Sequence, residues 1–392
     1  MTIKINGFCE TQFKKLEKTF QQNFTSGLEV GASISLTING KYVIDVWAGH
    51  KDAAKTKPWE KNTIVPVFSS TKVMSNLCIH MLVDRGLVDL DQPVAKYWSE
   101  FAQNGKEELP IKYLLSHTSG VPGWDSLITQ QDTYNWNKVT GLLAAQKPWW
   151  KPGTACGYHK FTQGYMVGEL VRRVTGKPIR AFFTEEVAEP SRADFHLGLP
   201  IEYEAQEADI IPIFASDVQS VLPPPGTISA RVLTNPVLDP ALSYVKSREW
   251  LEAEIPSGNG HGNARSMARI GSIIACGGTL DGKKYLSSTT LEATVKEQFY
   301  GLDLVLLRPV RWGLGWALPS EEAPFTPNWK TRKACVGLGA GGSLVLMDLE
   351  KKLCFAYAMN SMSLKSFPND IRTEKMCRVL YECLDEPLIK DK

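Results

Sequence analysis

Two β-hairpin patterns at opposite ends of the chain constrain its fold more than any other feature. Near the start, Ala32-Ser-Ile-Ser-Leu-Thr-Ile38 alternates, Asn39-Gly40 supplies a tight turn, and Tyr42-Val-Ile-Asp-Val-Trp47 returns. Near the end, Gly342-Ser-Leu-Val-Leu-Met347 and Leu353-Cys-Phe-Ala-Tyr-Ala-Met359 flank the polar segment from Asp348 to Lys352. Strands so far apart in sequence share one core only if the two ends of the chain meet, which predicts an antiparallel sheet assembled from both termini around an inserted middle. Amphipathic helices are predicted to cover it: residues 10–25 carry Phe13, Leu16, Phe20 and Phe24 at helical spacing, and residues near 370–384 carry Ile371, Met376, Leu380 and Leu384. The expected division is a sheet domain from 1–66 and 250–392, with a mainly helical domain at 67–249. A chain of 392 residues is long enough to bury a large core with a pocket inside it.

Within the middle, Ser70 to Asp84 is apolar on nearly all faces beyond its first turn and stops at Gly86, which predicts a buried central helix. Residues 163–175 make another helix, ending at Gly176-Lys-Pro178. From about 200 to 248, Pro212, Pro223, Pro224, Pro225, Pro236 and Pro240 interrupt any long element. This stretch is expected to be an extended excursion over the surface that walls a pocket.

Charge and composition exclude several function classes. Lys and Arg number 44 against 42 Asp and Glu, a net charge of +2, without a basic block or stripe. No electrostatic footprint for nucleic acid or an anionic membrane is present. No run approaches the ~18 apolar residues of a membrane span, and the segment from Met1 to Glu10 does not read as a signal peptide. The eight cysteines are scattered without CxxC spacing, as expected of reduced, buried thiols in a cytoplasmic protein. The six histidines show no HExxH or paired spacing, so neither a metal nor another cofactor is expected.

The chemistry centres on Ser69-Ser-Thr-Lys72, an S-x-x-K where an apolar extended run enters the buried helix. A serine at a helix start has its amide unpaired at the positive end of the dipole, and the i,i+3 lysine lies on the same face. A lysine in a dry site loses its charge more readily and can accept the serine proton. The bland alternative is a helix-capping serine with a solvated lysine. Ser243-Tyr-Val-Lys246 matches the same pattern in a polar, proline-flanked context, whereas the helix after Ser69 is too apolar to leave Lys72 freely solvated. A second proton handler and an oxyanion hole are also needed. Tyr158, after the Pro152-Gly153 turn and just before a helix, is the candidate for the first. The glycine-rich strand from Cys335 to Ser343 is the candidate for the second.

Taken in order, Phe68-Ser-Ser-Thr-Lys72, Arg85-Gly-Leu-Val-Asp-Leu-Asp91, Leu114-Leu-Ser-His-Thr-Ser-Gly120, Pro152-Gly153 with Tyr158, Ala264-Arg-Ser-Met-Ala-Arg269, Trp312-Gly-Leu-Gly-Trp316 and Gly339-Ala-Gly-Gly-Ser343 resemble the serine β-lactamases and penicillin-binding-protein-like enzymes. Within that family the chain is most similar to the β-lactamase-fold carboxylesterases. The resemblance implies a β-lactamase-like α/β sandwich with the active site at the junction of its two parts. It implies Ser69 as nucleophile, Lys72 as its base, Tyr158 as second proton relay, and the amides of Ser69 and Ala340 as oxyanion hole. Lys160, Gly337, Gly339 and Trp316 are expected to contact a small-molecule ester or acyl-thioester substrate. His159 either joins them or packs beneath the pocket.

Two departures from the family pattern carry expectations. Lys160 stands where the β-lactamases hold the substrate amide with Asn, which argues against lactam recognition. Gly337-Leu-Gly339 replaces the usual K-T-G or H-x-G and is similar to fungal polyketide acyltransferases of this fold. The alternatives to an esterase are therefore an acyltransferase, with an acyl-carrier partner as one donor, and a catalytically silent small-molecule-binding protein. Several other signals are read without a catalytic role. Gly337 to Gly342 satisfies GxGxxG but precedes a strand pattern, not a helix. No G-x-S-x-G elbow exists. His117 is expected to support a turn, and Trp149 and Trp150 to be core or pocket wall.

Overall fold

The computed structural model describes residues 3–212, 223–363 and 370–385. A short edge strand, β1 (Asn6–Cys9), precedes helix α1 (Lys14–Thr25), which buries Leu16 and Phe20. The predicted hairpin follows as β2 (Gly31–Ile38) and β3 (Lys41–Gly49), with Asn39 and Gly40 at φ 51° and 74°. Positive φ at both central residues is what a two-residue hairpin turn matching strand twist requires. Strand β4 (Val65–Pro66) leads into the central helix α2 (Thr71–Asp84), which is followed by α3 (Thr162–Thr175), β5 (Phe195–Leu197), the short helix α4 (Ile228–Leu233), β6 (Gly260–Gly262) and α5 (Ala264–Ala275). A second hairpin, β7 (Phe299–Asp303) and β8 (Arg308–Trp312), precedes β9 (Ala334–Leu338), β10 (Leu344–Asp348), β11 (Leu353–Met359) and α6 (Ile371–Glu382).

Six antiparallel strands form the main sheet in the order β1-β3-β2-β11-β10-β9, so β2 and β11 join the two ends of the chain at its centre. Alternation along the strands serves two cores at once. Leu344, Leu346, Phe355 and Tyr357 face α1 and α6, while Val345, Met347, Cys354 and Ala356 face α5 and the helical region. Helix α5 lies close on the sheet because small residues meet there: Thr37 Oγ1 and Ser272 Oγ are 2.6 Å apart, and Ser33 Oγ accepts the Ala264 amide at 3.2 Å. Every residue of α2 from Thr71 to Leu82 is buried, as its lack of a polar face predicts.

The 200–248 stretch departs from the expected extended excursion. Its described residues carry a 3-10 helix at Ile201–Gln206, α4, a 3-10 helix at Ser243–Lys246 and the start of a short helix at Arg248–Glu252. Prolines break long elements but tolerate short helices with good N-caps, and Thr227 and Ser247 supply caps here. Pro212 belongs to the described part, but residues 213–222, within the expected pocket wall, lie outside it. All eight cysteines are free thiols. Among the described residues no helix is long and apolar enough to cross a membrane.

Candidate active site

Ser69 sits in a 3-10 turn, Phe68–Ser70, between β4 and α2. Phe68 is held at φ 46°, a conformation a bulky L-residue adopts only when its surroundings impose it. The surroundings are hydrogen bonds. Thr71 Oγ1 donates to the Phe68 carbonyl and accepts the Gly260 amide at 2.9 Å. Ser343 Oγ donates to the Val67 carbonyl at 2.7 Å and lies 2.9 Å from Ser70 Oγ. The turn is thereby pinned to β6 on one side and to the start of β10 on the other.

Lys72 projects from the first turn of α2 into the same space. Its Nζ lies 3.3 Å from Ser69 Oγ and donates to the carbonyls of Lys160 at 2.8 Å and Ser257 at 3.1 Å. Burial, and then the nearby charge of Lys160, hold its pKa well below the usual lysine value. A neutral amine has two N–H groups and one lone pair. Two carbonyls satisfy the N–H groups and leave the lone pair facing Ser69, the geometry a proton acceptor needs.

Tyr158 lies across the site, its ring centroid 4.8 Å from Lys72 Nζ. Burial pushes the phenol up, against a hydrogen bond with Ser69 that draws it down, so it stays protonated at neutral pH. Asp303 holds it in place. The Oδ1 atom accepts the amides of Tyr158 at 3.0 Å, Val305 at 2.9 Å and Leu306 at 2.9 Å, while Oδ2 takes Cys156 Sγ at 3.2 Å and Trp312 Nε1 at 3.4 Å. Trp312 in turn stacks on the Tyr158 ring, with centroids 6.0 Å apart and planes within 10°.

The glycine-rich strand closes the opposite wall. The amides of Ser69 and Ala340 lie in the first two positions of 3-10 turns, where no intrahelical acceptor exists, and among the described residues neither donates to another backbone carbonyl. Arg372 Nη2 donates to the Gly341 carbonyl at 2.5 Å and to Asp370 at 2.6 Å, fixing this loop from behind. Gly337 and Gly339 are required by close approach: a Cβ at 337 would stand 2.1 Å from Val73 Cγ2, and one at 339 would stand 2.2 Å from the Val67 carbonyl.

These groups line one cavity of about 370 Å³, whose walls also include Leu233, Leu306, Val310, Trp316, Leu318, Phe325 and Leu338. Ser69, Lys72, Tyr158, Lys160, Gly337, Gly339, Ala340 and Trp316 all meet there. His159 does not. Its ring is fully buried beneath the cavity, 2.6 Å from Ser119 Oγ and 2.6 Å from the Gly157 carbonyl, so it shapes the turn instead of meeting substrate. His117 does more than the expected turn support. It adopts φ 60°, accepts the His159 amide at Nδ1 and also lines the cavity, with burial holding its pKa well below the usual histidine value. Trp149 and Trp150 are half-buried and belong neither to the core nor to the cavity wall. The decoy pair is dispersed: Ser243 Oγ donates to Asp239, and Lys246 pairs with Glu207 at 2.9 Å and Asp209 at 3.1 Å. Sequence reasoning passed over Asp303, Ser257 and Arg308, none of which stands in a motif read from the chain, and it gave Ser343 no role of its own within the glycine-rich strand.

A family model described as Beta-lactamase matches residues 16–375. The chain belongs to the beta-lactamase family. It is 32% identical over 371 residues to the Esterase/beta-lactamase LipL of Mycobacterium tuberculosis (strain ATCC 25618 / H37Rv), covering 92% of this chain and 83% of that protein. Among solved structures, a family VIII carboxylesterase is similar with TM-score 0.88 and 35% identity, over 97% of this chain and 100% of the other. A penicillin-binding protein homolog from Caulobacter crescentus is similar with TM-score 0.88 and 33% identity, over 97% and 100% of the two chains. The β-lactamase-like fold expected from the sequence is the fold observed, and the chain stands in a serine-hydrolase family with esterases among its neighbours.

Proposed function

We propose that this protein is a cofactor-independent serine carboxylesterase working through an acyl-enzyme on Ser69. The observation that carries the reading is the surroundings of Lys72, whose two carbonyl acceptors and depressed pKa leave a lone pair facing Ser69 Oγ at 3.3 Å. The neutral amine takes the serine proton as Oγ attacks the ester carbonyl. Negative charge then develops on the carbonyl oxygen, opposite the free amides of Ser69 and Ala340. Tyr158, kept protonated by burial, donates to the departing alkoxide and is re-protonated from Lys72. Water repeats the sequence in reverse to free the acid.

A second reading, acyl transfer to an alcohol, is favoured by one observation. Gly337 is bare, so no side chain from that position orients a water, and the apolar walls suit an alcohol held by proximity. Intact-mass detection of an acyl adduct with p-nitrophenyl esters, acyl thioesters and nitrocefin tests the scheme. Ser69→Ala should abolish adduct and turnover, and Ser243→Ala should not. Fluorophosphonate labelling that persists in Ser69→Ala refutes it.

A further inference from the structure

The cavity holds a cation that the reaction above leaves idle. Arg308 stands on β8 opposite Asp303 of β7, and strand alternation puts it on the same face as Val310 and Trp312, the face turned towards Tyr158. Its guanidinium is half-buried in the cavity wall, and burial is the main influence on it. Among the described residues it makes no side-chain hydrogen bond or ion pair. Asp303, its nearest opposite charge, is already occupied by the amides of Tyr158, Val305 and Leu306, by Cys156 and by Trp312.

The contrast with its neighbour is informative. Arg311, which also lines the cavity although it stands on the other face of the strand, pairs with Glu297 at 2.7 Å and donates to the carbonyls of Pro319 and Trp329. Lys160 is a second cavity cation without an anion, its Nζ 5.0 Å from the Phe161 ring centroid and its pKa lowered to about 8 by burial. Glu322, the carboxylate among the lining residues, is exposed at the rim and accepts the Tyr300 hydroxyl at 3.0 Å. A partly desolvated guanidinium without a partner is unfavourable alone, and a planar fork of N–H donors fits a carboxylate bidentately.

We propose that the ester substrate itself carries a carboxylate, gripped by Arg308 with Lys160 adding positive potential. This rests on the ester-cleaving reading above and names its substrate class. In the Ser69→Ala protein, calorimetric titration should show monomethyl glutarate binding roughly tenfold or more tighter than methyl butyrate, the scale of a charge-assisted hydrogen bond. Arg308→Gln in that background should erase the difference, and Arg308→Lys should keep part of it. Equal affinities, or a preference that survives Arg308→Gln, overturn the proposal. In turnover, the ratio of kcat/KM for mono-p-nitrophenyl glutarate to that for p-nitrophenyl butyrate should fall about tenfold or more in Arg308→Gln; an unchanged ratio overturns the anchor. If neither ester is turned over, the esterase reading fails, while the calorimetric preference still decides the anchor.

Discussion

Replacing Lys72 with arginine keeps a long nitrogen-tipped side chain beside Ser69 but fixes it as a cation, where Lys72 is held neutral. Arginine holds its proton at every pH a folded enzyme tolerates, so no lone pair faces Oγ. Loss of general-base catalysis should lower kcat/KM for p-nitrophenyl acetate by about 10²- to 10⁴-fold, or roughly 3–5.5 kcal/mol in the barrier. The pH profile adds a sharper readout. Because burial and Lys160 depress the Lys72 pKa, wild-type activity should rise with pH through an acid limb as Lys72 loses its proton, and Lys72→Arg should lack that limb. Tyr158 is shifted upward, so it should contribute no fall in activity between pH about 6 and 9, given a reference value near 10. Removing the Lys160 charge with Lys160→Met should displace the acid limb to higher pH, since that charge helps to keep Lys72 neutral. Tyr158→Phe alone should cost a comparable factor, and the double variant little more than the worse single one, because one proton passes through both groups. Losses that add in the logarithm of the rate, or a Lys72→Arg enzyme that keeps the acid limb, would refute the reasoning.

Asp303→Asn should lower kcat about tenfold or more with little change in KM, because one donor replaces an acceptor beneath the Tyr158 amide; denaturant titration should show a loss of about 1–3 kcal/mol, and an unchanged kcat would remove its positioning role. Gly337→His should not restore a water-orienting group, because its Cβ overlaps Val73 Cγ2. It should destabilise by about 1–3 kcal/mol and gain in deacylation only when combined with Val73→Ala, as read by the burst and steady-state phases of an activated ester. Short-chain p-nitrophenyl esters should exceed nitrocefin in kcat/KM by about 100-fold or more, since Lys160 offers no amide acceptor where a lactam side chain would dock; parity between the two would show that this position does not decide the matter.

What the sequence disclosed follows from which atoms do the work. The hairpins were legible because a period of two and an Asn-Gly turn are written in side-chain types, and their meeting in one sheet then followed from chain closure; the order of the strands and the edge strand Asn6–Cys9 were not read. Ser69 and Lys72 were legible because an apolar helix cannot hide a lysine without consequence. Ser257 was not, because it serves Lys72 through a carbonyl oxygen that every residue possesses. Asp303 likewise acts mainly on backbone amides, including that of Tyr158 145 positions away. The prolines between 200 and 248 announced interruptions correctly but said nothing of the short capped helices between them, one of which brings Leu233 to the cavity. His159 was open in the sequence because adjacency to Tyr158 does not say which way an imidazole turns in a tight loop.

One cause, burial, drives Lys72 and Tyr158 apart, and the separation is what makes them useful together. Both begin near pKa 10, where neither is a good base nor a distinct acid at neutral pH. Desolvation penalises whichever form is charged, so it lowers the lysine and raises the phenol from the same starting point. His117, buried beside them, is neutral for the same reason. In the proposed mechanism the groups around Ser69 are therefore uncharged before reaction, and charge separates only when the serine proton moves. At that moment Lys72 becomes a cation 4.8 Å from the centre of the Tyr158 ring, while the oxyanion forms opposite the free amides of Ser69 and Ala340. A ring face does little for a neutral amine, but a desolvated ammonium gains about 0.5–2 kcal/mol from it. Stabilisation that appears only as the barrier is climbed lowers the barrier without tightening the ground state. A leucine at 158 would thus remove both a proton donor and this ring, whereas phenylalanine removes the donor alone. Tyr158→Leu should be slower than Tyr158→Phe by about 2- to 30-fold in kcat at unchanged KM, and equal rates would show that the ring face contributes nothing to the reaction.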